Sequence, residues 1–202
     1  IDGSDIIDSS ATGDVSATQT NKARQINLGG LVGLVQEGNI TDSSATGDVN
    51  GIGENVGGLV GAFGATSNFD GTLDNSSASG NVTVTGDNVG GLVGNFNDKS
   101  DGPLSNSSAS GNVIGDQNVG GLVGESDGTV TVSYATGEVT GETAAGGLIG
   151  GNSGSVTVSY ATGEVTGDID AGGLIGGNSG SVTDAYWDTE TTGQDSSAGN
   201  AT

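Results

Sequence analysis

The chain has 202 residues, with 25 acidic against 3 basic, 42 Gly, a single Pro and neither His nor Cys. A formal charge of −22 sets it against nucleic acid and anionic membrane surfaces. The missing His and Cys remove the usual general base, the thiol nucleophile and most transition-metal sites. The acids are scattered through the chain, and such uniform acidity suits a protein dissolved in high salt, so a halophilic source is expected. No apolar run is long enough to cross a bilayer, so this segment is not expected to insert into a membrane.

In chain order, SSATGDV stands at 9–15 and 43–49, SSASGNV at 76–82 and 107–113, and SYATGEV at 133–139 and 159–165. Between them run GGLVG at 29–33, 57–61, 90–94 and 120–124, then GGLIG at 146–150 and 172–176. GGLIGGNSGSVT at 146–157 recurs letter for letter at 172–183, a period of 26 residues. A period of this size marks a solenoid, in which each unit buries its apolar face only against its neighbours.

Stacking the units gives four apolar columns. They are Ile6, Ile40, Leu73, Leu104, Val130, Val156 and Val182; Ala11, Ala45, Ala78, Ala109, Ala135 and Ala161, ending in Trp187; Val15, Val49, Val82, Val113, Val139 and Val165; and Leu31, Leu59, Leu92, Leu122, Leu148 and Leu174. One column per short strand, with Gly- and Asx-rich turns between, predicts an all-β parallel β-helix of about seven coils. Each coil should hold roughly three short strands, and the stack should rise about 4.8 Å per coil. The odd spacing between the first two columns requires a bend, for which Asp42, Asn75 and Asn106 are placed as Asx-turns. The glycines of ATG and ASG (Gly13, Gly47, Gly80, Gly111, Gly137, Gly163) suit a corner of positive φ. In GGLxG, strict alternation turns Val32, Val60, Val93, Val123, Ile149 and Ile175 outward as an aliphatic stripe for self-association. A glycine-permitted twist would instead bring these side chains inside at a corner.

The repeat domain should span 1–192, with longer loops at 16–28, 62–75 and 95–106, and a linker or disordered tail at 193–202. Trp187 replaces Ala in the last unit and is expected to cap that end. No such cap stands at the start, which suggests an upstream coil, another domain or a neighbouring subunit. Ser10, Ser44, Ser77 and Ser108 give way to Tyr134, Tyr160 and Tyr186, an exchange too large for a core of fixed cross-section. This column therefore lies outside, either flat on the wall or as a contact surface. The loops hold Phe63, Phe69 and Phe96 with Lys22, Arg24 and Lys99; the rings are expected either to tuck over the wall or to bind a partner.

The GGLVG, GGLIG, SYATGEV and SSATGDV segments resemble the GLUG-motif repeats, and AYWDTETTGQ resembles the segment that ends such arrays. The resemblance implies a secreted or surface-attached, adhesin-like structural part and carries over no catalytic residue. The expected function is therefore a non-catalytic spacer or adhesin arm of an extracellular or cell-surface protein. The alternatives are a subunit of a self-assembling extracellular filament and a polysaccharide-binding or polysaccharide-cleaving β-helix. The expected partners are further copies of the chain, other surface components or glycans. Ca²⁺ is the one cofactor with any support, from the column Asp14, Asp48, Asn81, Asn112, Glu138 and Glu164; a solvated acidic edge explains the same residues. N-glycosylation sequons stand at Asn39, Asn75, Asn81, Asn106 and Asn200.

Overall fold

The computed structural model describes residues 1–18, 26–64, 71–97 and 102–199. Every ladder is parallel and pairs a residue with its counterpart one coil away: Ile40 with Leu73, Ala45 with Ala78, Val49 with Val82, Val60 with Val93. The sequence separation between coils contracts from 34 residues to 26 along the chain, and the pairing absorbs this without a slip of register. The fold is the expected parallel β-solenoid. It differs from the three-strand expectation in having five short strand segments per coil.

The first wall stacks Ile6–Ile7 through Ser181–Thr183, and the second stacks Ser10–Ala11 through Tyr186–Trp187, seven strands each. The third wall begins at Val15–Ala17 and the fourth at Asn27–Gly29; the bent strand Val139–Gly146 belongs to both and joins them into one sheet. The fifth, of six strands, runs from Val32–Val35 to Ile175–Asn178. Five coils are complete, fewer than the seven expected, because the last two repeat units do not carry a full set of strands. The sixth reaches the fourth wall only through the bridge Gly146–Gly172, and the seventh supplies two strands before the chain closes over the end.

The interior has two parts. Leu59, Leu92, Leu122, Leu148 and Leu174 pack with the Ile40 and Ala45 columns between the first, second and fifth walls. Val49, Val82, Val113, Val139 and Val165 face Val56, Val89, Val119 and Ala145 between the third and fourth. Val60, Val93, Val123, Ile149 and Ile175 are also buried in the first part, so the aliphatic stripe is no surface. The chain bends at Gly58–Leu59 and its equivalents, and the bend lets both Leu and the following Val point inward.

The glycines of the motif are there because backbones meet. A methyl built on Gly121 would fall on the carbonyl oxygen of Gly147 and lie 2.9 Å from the Ala135 Cβ. One on Gly124 would strike the backbone of Asn88 and Val89 in the preceding coil. The ATG and ASG glycines need a different explanation from the one expected. None has a φ in the left-handed range; Gly47, Gly80, Gly111, Gly137 and Gly163 each stack against the carbonyl of the glycine one coil earlier, where no Cβ fits.

The corner between the first two walls is left-handed at Asp42 (φ 52°), Asn75 (47°) and Asn106 (49°), as the Asx reading expects. The residue after it turns inward: Ser43, Ser76, Ser107, Ser133 and Ser159 are buried. The Ser133 hydroxyl donates to the Thr131 carbonyl at 2.8 Å and accepts from the Ser107 amide of the coil before at 3.2 Å. This internal serine ladder satisfies the corner's backbone, which would otherwise lose hydrogen bonds away from water. Coils five and six place Val132 (49°) and Val158 (48°) at the same left-handed corner, a conformation β-branched residues avoid. Val132→Asn and Val158→Asn, restoring the Asx type of earlier coils, are each expected to stabilise by about 1 kcal/mol. Urea midpoints of the single and double variants check this.

At the far end Trp187 takes the place of Ala against the core, and its Nε1 donates to the Gln194 carbonyl at 2.9 Å. A single helical turn, Thr189–Thr192, is capped by Asp188 and ends at Gly193 (φ 69°). Residues 193–199, the described part of the stretch read from composition as linker, instead run back over the last coil. Gly173 and Leu174 donate to the carbonyls of Ser196 and Ser197, and Gln194 Nε2 donates to the Val165 carbonyl. Ala198 forms a parallel bridge with Ile175.

Candidate functional site

The second wall alternates Ser inward, Ser or Tyr outward, Ala inward, and this positions the tyrosine ladder. Tyr134 and Tyr160 stack with ring centroids 5.0 Å apart and planes 3° from parallel. Tyr186, register partner of Tyr160, is 65% exposed. Tyr160, Ala161, Thr162, Tyr186, Trp187 and Asp188 line a shallow, open groove of about 490 Å³. Val132 and Val158, each two residues before a tyrosine, are 51% and 57% exposed, so the strained corners present apolar side chains beside the ladder. Asp188 Oδ1 accepts from the amides of Glu190 and Thr191 at 2.9 and 3.3 Å, which leaves Oδ2 outside the cap.

The phenylalanines are corrected. Phe63 and Phe96 are fully buried at the inward ends of their fifth-wall strands, stacked with centroids 5.6 Å apart. They are core, not contact surface; the same inward rank holds Val35 before them and Ser126, Asn152 and Asn178 after. Phe69, Lys22, Arg24, Lys99 and Asn200 lie outside the described residues.

The acidic column serves the fold. Asp14 accepts from the Asp48 amide, Asp48 from that of Asn81, Asn81 from that of Asn112, and Asn112 from that of Glu138, at 2.8–3.1 Å. Each side chain caps the coil above, and Asn112 Nδ2 also donates to Glu138. Among the described residues no three acidic side chains gather as a metal site. The sequons sit in similar ladders: Asn39 donates to Asp5, Asn75 to Asp42 and Asn106 to Asp74, while Asn81 uses its oxygen as above. Hydrogen bonds from Ser105 and Asn106 hold the Asp74 carboxyl below its ordinary value.

A second amide ladder, legible in the recurring Asn before VGG (LGG in the first coil), runs Asn118 to Asn88 to Asn55 to Asn27 at 2.8–3.0 Å. It ends at Glu125, which accepts from Asn118 Nδ2 at 3.1 Å. Burial, then the neighbouring Asp127 carboxylate, push the Glu125 carboxyl up, and the Asn118 bond only partly opposes them. The folded chain thus holds this proton more tightly than the unfolded one. The associated stability is present below the ordinary glutamate range and is lost as pH rises through the elevated folded value. Glu125→Gln is therefore expected to raise the melting temperature at neutral pH and to lose that advantage near about pH 4, as thermal unfolding at both would show.

Stacked parallel rungs with repeat-matched columns define the protein as a β-solenoid. A family model described as the GLUG motif matches residues 25–50, the stretch that carries the first GGLVG bend and the second SSATGDV. The remaining GGLxG copies occupy equivalent places in the later coils. No curated protein and no solved structure matches the chain. Motif and fold together fit a structural module.

Proposed function

We propose that the chain is a non-catalytic, rigid spacer or adhesin arm of a secreted or cell-surface protein. The observation that carries this reading is the unbroken register of the parallel ladders: backbone hydrogen bonds tie each coil to the next along the whole stack. Such a body holds its ends apart with little bending and keeps its length when loops on its flank vary. The acidic surface favours a well-solvated body over one that binds polyanions. Filament growth through an aliphatic stripe loses its surface, since those side chains are core. A polysaccharide-binding reading through the loops loses Phe63 and Phe96 for the same reason.

The test is protease shaving of intact source cells, followed by identification of the released peptides. Peptides of this chain in the shaved fraction, with cytosolic markers absent, are the expected result. Their release only after lysis would overturn the surface assignment.

A further inference from the structure

We propose that the shallow groove lined by Tyr160, Tyr186, Trp187 and Asp188 is a docking site for an arginine-bearing segment of a basic partner protein. The inference goes beyond the spacer reading and does not depend on where the chain is displayed.

Three observations converge. First, the tyrosines are confined to coils five to seven, and in five and six the left-handed corner beside them changes from Asx to Val. Each valine bears the strain of that conformation while remaining more than half exposed, so no core packing compensates it. An apolar strip has thus been built where earlier coils show Ser and Asx. Second, the ladder has a geometry. Tyr134 and Tyr160 stack on each other's ring faces at 5.0 Å, whereas in the last coils Tyr160, Tyr186 and the Trp187 indole together line a shallow open groove. Third, the charge around it has one sign. Among the described residues every charged side chain is acidic, and the groove is lined by Asp188. Glu164 and Glu190 follow Tyr160 and Tyr186 by four residues, and both are exposed.

An open aromatic surface beside carboxylates selects a flat cation. Guanidinium is planar and weakly hydrated; it stacks on aromatic faces and can donate two parallel hydrogen bonds to one carboxylate. Lysine's compact ammonium is more strongly hydrated and lacks the fork. The Asp188 oxygen not used by the helix cap is the acceptor such a fork would reach. A neutral sugar could stack on the same rings but would draw nothing from the surrounding charge.

Trp187, the only tryptophan, reports on the groove directly. The experiment titrates the full chain with a short peptide carrying two arginines, and with matched lysine, glutamine and glutamate peptides, following Trp187 emission. About 0.5 M NaCl suppresses non-specific attraction to the acidic surface. Saturable change with the arginine peptide is expected, with binding about threefold or more weaker for lysine and none for glutamate. Tyr160→Ser with Tyr186→Ser installs the residue that earlier coils carry there and should weaken arginine binding about tenfold or more. Asp188→Asn keeps a helix cap but removes the charge, and should weaken it about threefold. Equal binding of lysine and arginine, an unaffected tyrosine variant, or emission changes with a neutral oligosaccharide but not with arginine would each overturn the proposal.

Discussion

Gly121→Ala is expected to abolish cooperative folding of the central coils, at a cost of about 4 kcal/mol or more. The added methyl has no direction in which to relax. Ahead of it is the Gly147 carbonyl, which sits in the next rung; beside it, at 2.9 Å, is the Ala135 Cβ. Moving either means prising two coils apart, and that breaks several ladders at once. Overpacking in an ordinary core costs about 1–3 kcal/mol because side chains can change rotamer. Here the obstacle is main chain. Gly13→Ala is the matched control: nothing lies within 4 Å of a methyl there, and its φ is not left-handed. Circular dichroism with urea denaturation of both variants checks the contrast. A Gly121→Ala protein that unfolds like the parent would show that the walls can separate locally, against the packing described above.

Trp187→Ala should cost about 3 kcal/mol and unfasten the C-terminal end before the rest. The indole closes the last layer of core, and its hydrogen bond holds Gln194, which in turn bonds to Val165 of the coil beneath. Without it, the closing segment through Ala198 loses its anchor and the rungs of coils six and seven become free edges. Hydrogen exchange should show amides of Gly173, Leu174 and Ile175, which donate to Ser196 and Ser197, losing protection ahead of Leu122 and Val123. Uniform loss along the stack would argue instead for all-or-none stability.

Much of the fold is legible in the sequence because a narrow interior tolerates little change of volume. Columns that keep one size for six or seven units, such as Leu59 and Leu92, must face inward, and in the central coils all four do. The Ser-to-Tyr exchange places Tyr134, Tyr160 and Tyr186 outside by the same logic. What is hidden is hidden for physical reasons. Ser43 and its kin carry no apolar signal in the sequence, yet they are buried with their hydroxyls turned back on their own corners. Strands only two residues long carry too little pattern to count, so five walls look like three. Phe63 and Phe96 sit beside insertions and resemble loop residues, although they belong to the ends of wall-five strands. The tail at 193–199 has linker composition, and only its backbone bonds reveal the cap. The groove itself depends on how Trp187 and Asp188 sit beside the tyrosine rings at the closing coil, and no spacing rule predicts that. Val in a left-handed corner is equally unpredictable, because local preference argues against it.

Because each rung meets its neighbours through the same atoms, whole storeys are interchangeable. Excising residues 146–171 would join Ala145 to Gly172, and Gly172 already follows an alanine, Ala171, in the intact chain. The residues that come after it repeat the lost GGLIGGNSGSVT letter for letter, so both cut surfaces would fit. The length of this body can therefore be edited in whole steps of about 4.8 Å without redesigning either end.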